Sequence, residues 1–239
     1  MPTQVTRTLL PLLVALAIFP AACERSPTTP PAATTAASSG NGVIRGRVVL
    51  QGIAPTMRII PGSPQVKDET IVVGSGGGLK NVIVYLENAP PASPPTQAPA
   101  ALDQINCVYV PHVLAVQAGQ TLRLKSSDPV LHNVLLQCSL NPPANYGFPT
   151  IGERAITLKL PEPPFNVRCD VHPWMSAWIG VFAHRWFAVT ADDGSFSITH
   201  VPPGNYTLAA WHEALPLQRQ NVTVSEASAT VVRFTFPAP

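Results

Sequence analysis

The chain has 239 residues, enough for one large domain or two small ones with cores of their own. Only 12% of the residues are charged, 46% are hydrophobic and 28 are proline, against a usual proline share of about 5%. This points to a folded, turn-rich protein and excludes disorder throughout. Fifteen basic and thirteen acidic residues leave a net charge of +2 with no Lys/Arg run, which argues against DNA or RNA as a partner.

Arg7 precedes an apolar run from Leu9 to Phe19 that closes on Pro20-Ala21-Ala22-Cys23. The run is far shorter than the roughly 20 residues of a spanning helix, so residues 1–22 read as a secretory signal peptide. Its end resembles a bacterial lipoprotein cleavage box, with Pro20 where an aliphatic residue is usual. That resemblance implies a lipid on Cys23; the alternative is an ordinary cleaved signal. Either way the mature protein is exported, to the periplasm or the cell surface. Residues 23–41, rich in Ser, Thr, Pro and Ala, read as a flexible linker behind the anchor cysteine.

From Gly42 onward strand signals dominate, and no long amphipathic helix is evident. Ile44 to Leu50 and Val82 to Leu86 alternate in the manner of half-buried strands. Further strands are expected at Leu114–Val116, Leu122–Leu124, Val130–Leu136, Ile156–Leu160, Phe165–Arg168 and Ala177–Phe182. A last group follows at Phe187–Thr190, Phe196–Ile198, Tyr206–Trp211, Val222–Val224 and Val231–Phe236. Ala118-Gly119, Asp192-Asp193-Gly194 and Pro202-Pro203-Gly204 separate them as turns. Gly74 to Gly78 lacks the Lys-Ser/Thr of a phosphate loop and reads as a hairpin loop. An all-β sandwich or barrel architecture follows, and the proline-rich stretch from Ala89 to Ala100 marks a candidate domain boundary.

The chemistry concentrates in Cys169-Asp170-Val171-His172-Pro173-Trp174-Met175, where a thiolate, an imidazole and a thioether stand within seven residues. A second imidazole is expected from His132 on an earlier strand. Two imidazoles, one thiolate and a weak axial Met sulfur make the donor set of a mononuclear electron-transfer copper site. The rival chemistries lack residues. There is no Cys-x-x-Cys-His for covalent haem and no second loop cysteine for dinuclear copper, and a structural zinc site does not normally recruit Met. The bland alternative is a buried cysteine beside a turn histidine and a core methionine.

Cys169 to Met175 resembles the ligand loop of cupredoxins, especially the short Cys-x-x-His-x-x-Met spacing of amicyanin. The run from Val110-Pro111-His112 through Gly119 to His132-Asn133-Val134 is similar to the family's approach to its first histidine. The resemblance covers roughly residues 100–185 and implies a Greek-key β-sandwich holding one type 1 copper ion through His132, Cys169, His172 and Met175. Where that family often carries Asn shortly before the first histidine, this chain has Ser126-Ser127, which leaves the brace of the cysteine loop unassigned.

A second resemblance flanks the first. Gly42–Val48 and Leu79–Leu86 look like the opening strands of carboxypeptidase regulatory-like domains, and Val189–Phe196 with Val201–Leu208 like their ending. The resemblance implies a noncatalytic, prealbumin-like sandwich from residues 42–92 and 186–239, with the cupredoxin-like domain, 93–185, inserted in it; tandem modules are the alternative.

Of the remaining cysteines, Cys107 and Cys138 are candidates for a disulfide, with two buried thiols as the alternative. His112 reads as a structural or surface histidine because the ligand set is complete without it, and His184, His200 and His212 read as structural. Trp178, Trp186 and Trp211 are expected in packing, and Asp192-Asp193-Gly194 in a turn rather than a calcium site. Pro173 and Trp174 suit an apolar face that docks a redox protein beside His172. No His-x-His pair occurs among six histidines, so enzymatic copper chemistry is not expected. The functional expectation is an electron carrier. The alternatives are a metal-free envelope module for a carbohydrate or protein partner, and a copper storage or delivery protein.

Overall fold

Alternation decides which side of each strand is buried. In the run Thr121–Ser126, Leu122, Leu124 and Ser126 face inward, and in Ala229–Pro237 it is Val232, Phe234 and Phe236. The computed structural model describes Met1 and residues 41–239, other than 57–58, 61–62, 93–94, 96 and 227. The expectations for the signal peptide, Cys23 and nearly all of the linker lie outside the described residues.

The chain is all-β. In order, the strands are β1 (Gly42–Gln51), β2 (Ile59–Ile60), β3 (Ser63–Lys67), β4 (Ile83–Leu86), β5 (Ala100–Ile105), β6 (Val108–Val110), β7 (Val113–Gln117), β8 (Thr121–Ser126) and β9 (His132–Leu136). They continue as β10 (Ala144–Phe148), β11 (Gly152–Thr157), β12 (Glu162–Arg168), β13 (Ser176–Phe182), β14 (Phe187–Val189), β15 (Ser195–Val201), β16 (Gly204–His212), β17 (Leu215–Val224) and β18 (Ala229–Pro237). Every strand expected from the sequence overlaps one of these. At β11 the strand begins earlier than the apolar residues suggested, and Leu160 lies beyond it. Strands β2, β3, β5, β6 and β10 have no counterpart among the expected strands; in β5 and β10, Asp103, Gln104, Asn145 and Gly147 break the apolar pattern.

Two pairs of sheets enclose two hydrophobic cores. In the first, β1 lies between β15, antiparallel, and β18, parallel, and faces a sheet of order β14-β4-β16-β17. Ile44, Val48, Leu79, Leu86, Leu208, Phe234 and Phe236 are at its centre, all fully buried. In the second, the sheet β10-β9-β12-β13-β7 faces β11-β8-β5-β6 over Leu102, Leu124, Val134, Val167 and Ile179. All strands of this second pair lie in sequence between β4 and β14.

A smaller apolar cluster joins the two. Ile83 of β4, Val113 of β7 and Phe182 of β13 meet Tyr85, Phe187, Trp178 and Trp211, and Trp178 and Trp211 stand 5.4 Å apart. Described residues of the connector after β4 are tied down: Ala92 donates its N–H to the Ala183 carbonyl at 3.0 Å, and the Gln120 amide reaches the Ala98 carbonyl at 2.6 Å.

The glycine loop closes as a hairpin between Val73 and Leu79, with a Gly74 N–H to Gly78 carbonyl bond of 2.8 Å. Asp192-Asp193-Gly194 forms the turn before β15. Asp193 accepts the Ser195 N–H, Asp192 pairs with Lys80, and Gly194 has φ +78 in a spot where a Cβ would lie 2.1 Å from the Val48 carbonyl oxygen. Both carboxylates therefore have a turn role.

Candidate metal centre

Antiparallel register brings together the two segments that carry the expected ligands. Strands β9 and β12 pair Leu136 with Val167 and Leu135 with Arg168. Continued beyond Arg168, that register carries the chain alongside His132 at the start of β9. The chain then turns back into β13, because Arg168 and Ser176 are themselves paired. The enclosed loop is held by Cys169 N–H to Met175 carbonyl at 3.3 Å and Met175 N–H to His172 carbonyl at 2.9 Å.

His132 is fully buried, Cys169 and Met175 are 1% exposed, and His172 is half-buried. The Nδ1 atoms of His132 and His172 face each other at 2.9 Å, and Cys169 Sγ lies 4.0 Å from His172 Nδ1. Met175 packs in the same apolar cluster as Cys169. Burial and the neighbouring His132 hold the His172 imidazole below the usual histidine range, with Asp128 opposing. That keeps His172 in the neutral form a metal requires.

The other ring nitrogen of His132 is already engaged. Its Nε2 lies 2.9 Å from Asp128 Oδ2, a carboxylate–histidine arrangement that fixes which nitrogen is free for a metal. Burial works against the Asp128 charge, but the N–H groups of Cys107 and Asn106 and the His132 ring outweigh it and hold the carboxyl below its usual range. The donors present, two imidazole Nδ1 atoms and a thiol beside a buried thioether, fit a copper ion by their chemistry.

The missing brace is Asn133, the residue after His132 rather than one before it. Its Oδ1 accepts the Asp170 N–H at 2.7 Å and lies 3.4 Å from Cys169 Sγ, and its Nδ2 reaches Asp170 Oδ2 at 2.9 Å. Tyr109 Oη donates to the Asn133 carbonyl at 2.5 Å. Ser126 and Ser127 instead bond to Asp128 and Asp103. The strand's alternation explains why sequence reasoning missed Asn133: a polar residue next to a buried histidine looks solvent-facing, yet both are buried here.

Cys107 is the larger surprise. Cys107, His132 and His172 each offer a ligand atom, and these three atoms all lie within 4.8 Å of one another. The residue sits in the β5–β6 turn, where Asn106 and Cys107 have φ +55 and +59. Their N–H groups are held by the two oxygens of Asp128 at 2.7 and 2.8 Å, and Trp174 Nε1 donates to the Cys107 carbonyl at 3.0 Å. The expected Cys107–Cys138 disulfide is not formed, and both thiols are free. Cys107 is gathered to the histidine end of β9, whereas Cys138 lies past the other end, where burial and Glu162 raise its thiol to about 11. Burial, Asp128 and Cys169 push the Cys107 thiol upward as well.

The residues expected at the docking face differ in exposure. Pro173 is exposed with Val171, Val130 and Leu131, while Trp174 is half-buried against the His172 ring at 5.1 Å. His112 is not a surface residue. Its side chain is 8% exposed, with Nε2 on Glu213 and Nδ1 3.1 Å from the Ser176 carbonyl. Trp178 Nε1 donates to the other Glu213 oxygen at 2.7 Å. The group ties β16–β17 of the first sandwich to β7 and β13 of the second. Among the other histidines, His184 bonds to the Leu86 carbonyl, and His212 is buried with its pKa lowered to about 4 by desolvation. Among the described residues no helix is long and apolar enough to cross a membrane.

No curated protein matches this sequence. The family model described as polysaccharide lyase family 4, domain II, matches residues 182–232. Among solved structures, amicyanin from Paracoccus versutus is 17% identical, covering 41% of this chain and 96% of its own, with a TM-score of 0.31. A purple cupredoxin from Nitrosopumilus maritimus is 19% identical over 34% of this chain and 98% of its own, at 0.30. A copper-containing nitrite reductase from Thermus scotoductus SA-01 is 18% identical over 39% of this chain, at 0.33, and this chain spans a quarter of its length.

Proposed function

We propose that this is an exported copper protein that carries single electrons at a centre held by His132, Cys169, His172 and Met175. One observation carries the reading: the paired Nδ1 atoms of His132 and His172, 2.9 Å apart, with the Cys169 sulfur 4.0 Å from His172. When bound, copper supplies one-electron exchange between Cu(II) and Cu(I), and the mixed imidazole and sulfur set suits both states.

The chain's own residues do the rest. Asp128 orients His132, and Asn133 holds the cysteine loop rigid, which limits rearrangement on electron transfer. His172 is the half-buried ligand through which electrons pass, and the exposed apolar side chains of Val130, Leu131, Val171 and Pro173 around the histidine pair suit weak docking of a redox protein. No substrate bond is made or broken, so the protein is not an enzyme. Residues 42–92 and 186–239 act as a noncatalytic support of the carboxypeptidase regulatory-like kind, and a lipid on Cys23 tethers the whole to a bacterial membrane.

The test is a Cu(II) titration of the full-length protein in detergent, followed by visible and electron paramagnetic resonance spectra. Near-stoichiometric binding with an intense band at about 600 nm, or a related one toward about 450 nm, is expected; a colourless folded protein overturns the reading. The match of residues 182–232 to a polysaccharide lyase domain favours a second reading, in which the first sandwich binds saccharide and no metal is needed. Retention on a polysaccharide column by copper-free protein would support it.

A further inference from the structure

We propose that Cys107 is a second thiolate donor of the same centre, so that the site takes Cu(I) through two sulfurs and the histidine pair. This rests on the copper reading above and extends it from electron transfer toward retention of the reduced ion.

The argument is one of placement. Three ligand atoms from different strands or turns, Cys107 Sγ and one nitrogen each of His132 and His172, lie within 4.8 Å of one another, and Cys169 Sγ lies 4.0 Å from His172 Nδ1. The turn carrying Cys107 is bound to both arms of the centre. Asp128, which fixes His132, takes the Asn106 and Cys107 N–H groups, and Trp174 of the cysteine loop bonds to the Cys107 carbonyl. Cys107 is half-buried and in no disulfide, so its sulfur is available once its proton is displaced on binding. Thiolates favour Cu(I), and a second one favours it further.

The experiment uses the full-length chain under anaerobic reducing conditions with Cu(I) as the probe and a chromophoric Cu(I) chelator as competitor. In wild-type protein, alkylation at each cysteine is followed by mass spectrometry with and without Cu(I). Expected are at least tenfold slower alkylation of Cys107 on Cu(I) binding, unchanged alkylation of Cys138, and at least a tenfold loss of Cu(I) affinity in Cys107→Ser. The alkylation arm needs no variant to fold. Equal alkylation of Cys107 with and without Cu(I), together with wild-type affinity in Cys107→Ser, overturns the proposal. In that event, a large affinity loss in Cys169→Ser leaves the His132, Cys169, His172 and Met175 centre standing, whereas no loss there overturns both readings.

Discussion

Two buried histidines of this chain each give a ring nitrogen to a carboxylate, His132 to Asp128 and His112 to Glu213. Their second nitrogens differ. That of His112 faces the Ser176 carbonyl, and Glu213 is completed by Trp178, so every polar atom of that group is matched. The Nδ1 of His132 faces another imidazole, that of His172, and the pair forms a group with the Cys107 thiol. A closed hydrogen-bond set makes a structural tie; a nitrogen pair beside sulfur leaves donor atoms of the kind a metal takes.

The contrast breaks most sharply at sulfur. Cys169→Ser is expected to abolish the thiolate-to-copper absorption, while His112→Ala leaves it intact; a retained band in the Cys169 variant would remove this cysteine from the centre. Next in size is Glu213→Gln, which leaves a buried pair half-made between the sandwiches. It should destabilise the fold by about 3 kcal/mol in urea titrations without altering the copper spectrum. Asp128→Asn should do the opposite, weakening Cu(II) binding by about 10–100-fold in chelator competition.

The tie also titrates. Burial disfavours a charged His112, but the hydrogen bond and charge of Glu213, with Glu69 and the Ser176 carbonyl, raise its folded pKa above the ordinary value. Its stabilisation is therefore complete below about pH 6.5 and is lost as pH rises through the folded value. The urea midpoint of the wild type should fall over that window, and that of Glu213→Gln should fall less. The smallest effect is at the axial position: Met175→Leu should keep copper and raise its potential, read by voltammetry, because a weaker donor favours Cu(I).

Much of the candidate site was legible from spacing. Cys169, His172 and Met175 lie on one short loop, so local sequence suffices to group them, and His132 opens a strand with a recognisable apolar pattern. Asn133, Asp128 and Cys107 were not legible in those roles. Strand alternation alone puts Asn133 on the face opposite its neighbour His132, and the family resemblance looks for the brace before the first histidine rather than after it. Cys107 invited a disulfide because cysteines of an exported chain are read in pairs, whereas its turn folds toward the histidines and away from Cys138.

By itself the sequence determined the all-β character, through alternating apolar residues and frequent turn residues, and the donor types on the loop from Cys169 to Met175. Only tertiary structure decided that β1 sits between β15 and β18, that His112 ties two sandwiches together, and that Cys107 joins the histidine pair. Alternation records which face of a strand is buried but not which strand lies beside it. Pairings between residues far apart in the chain are set by packing of whole sheets and by satisfaction of buried polar groups, which no local pattern encodes.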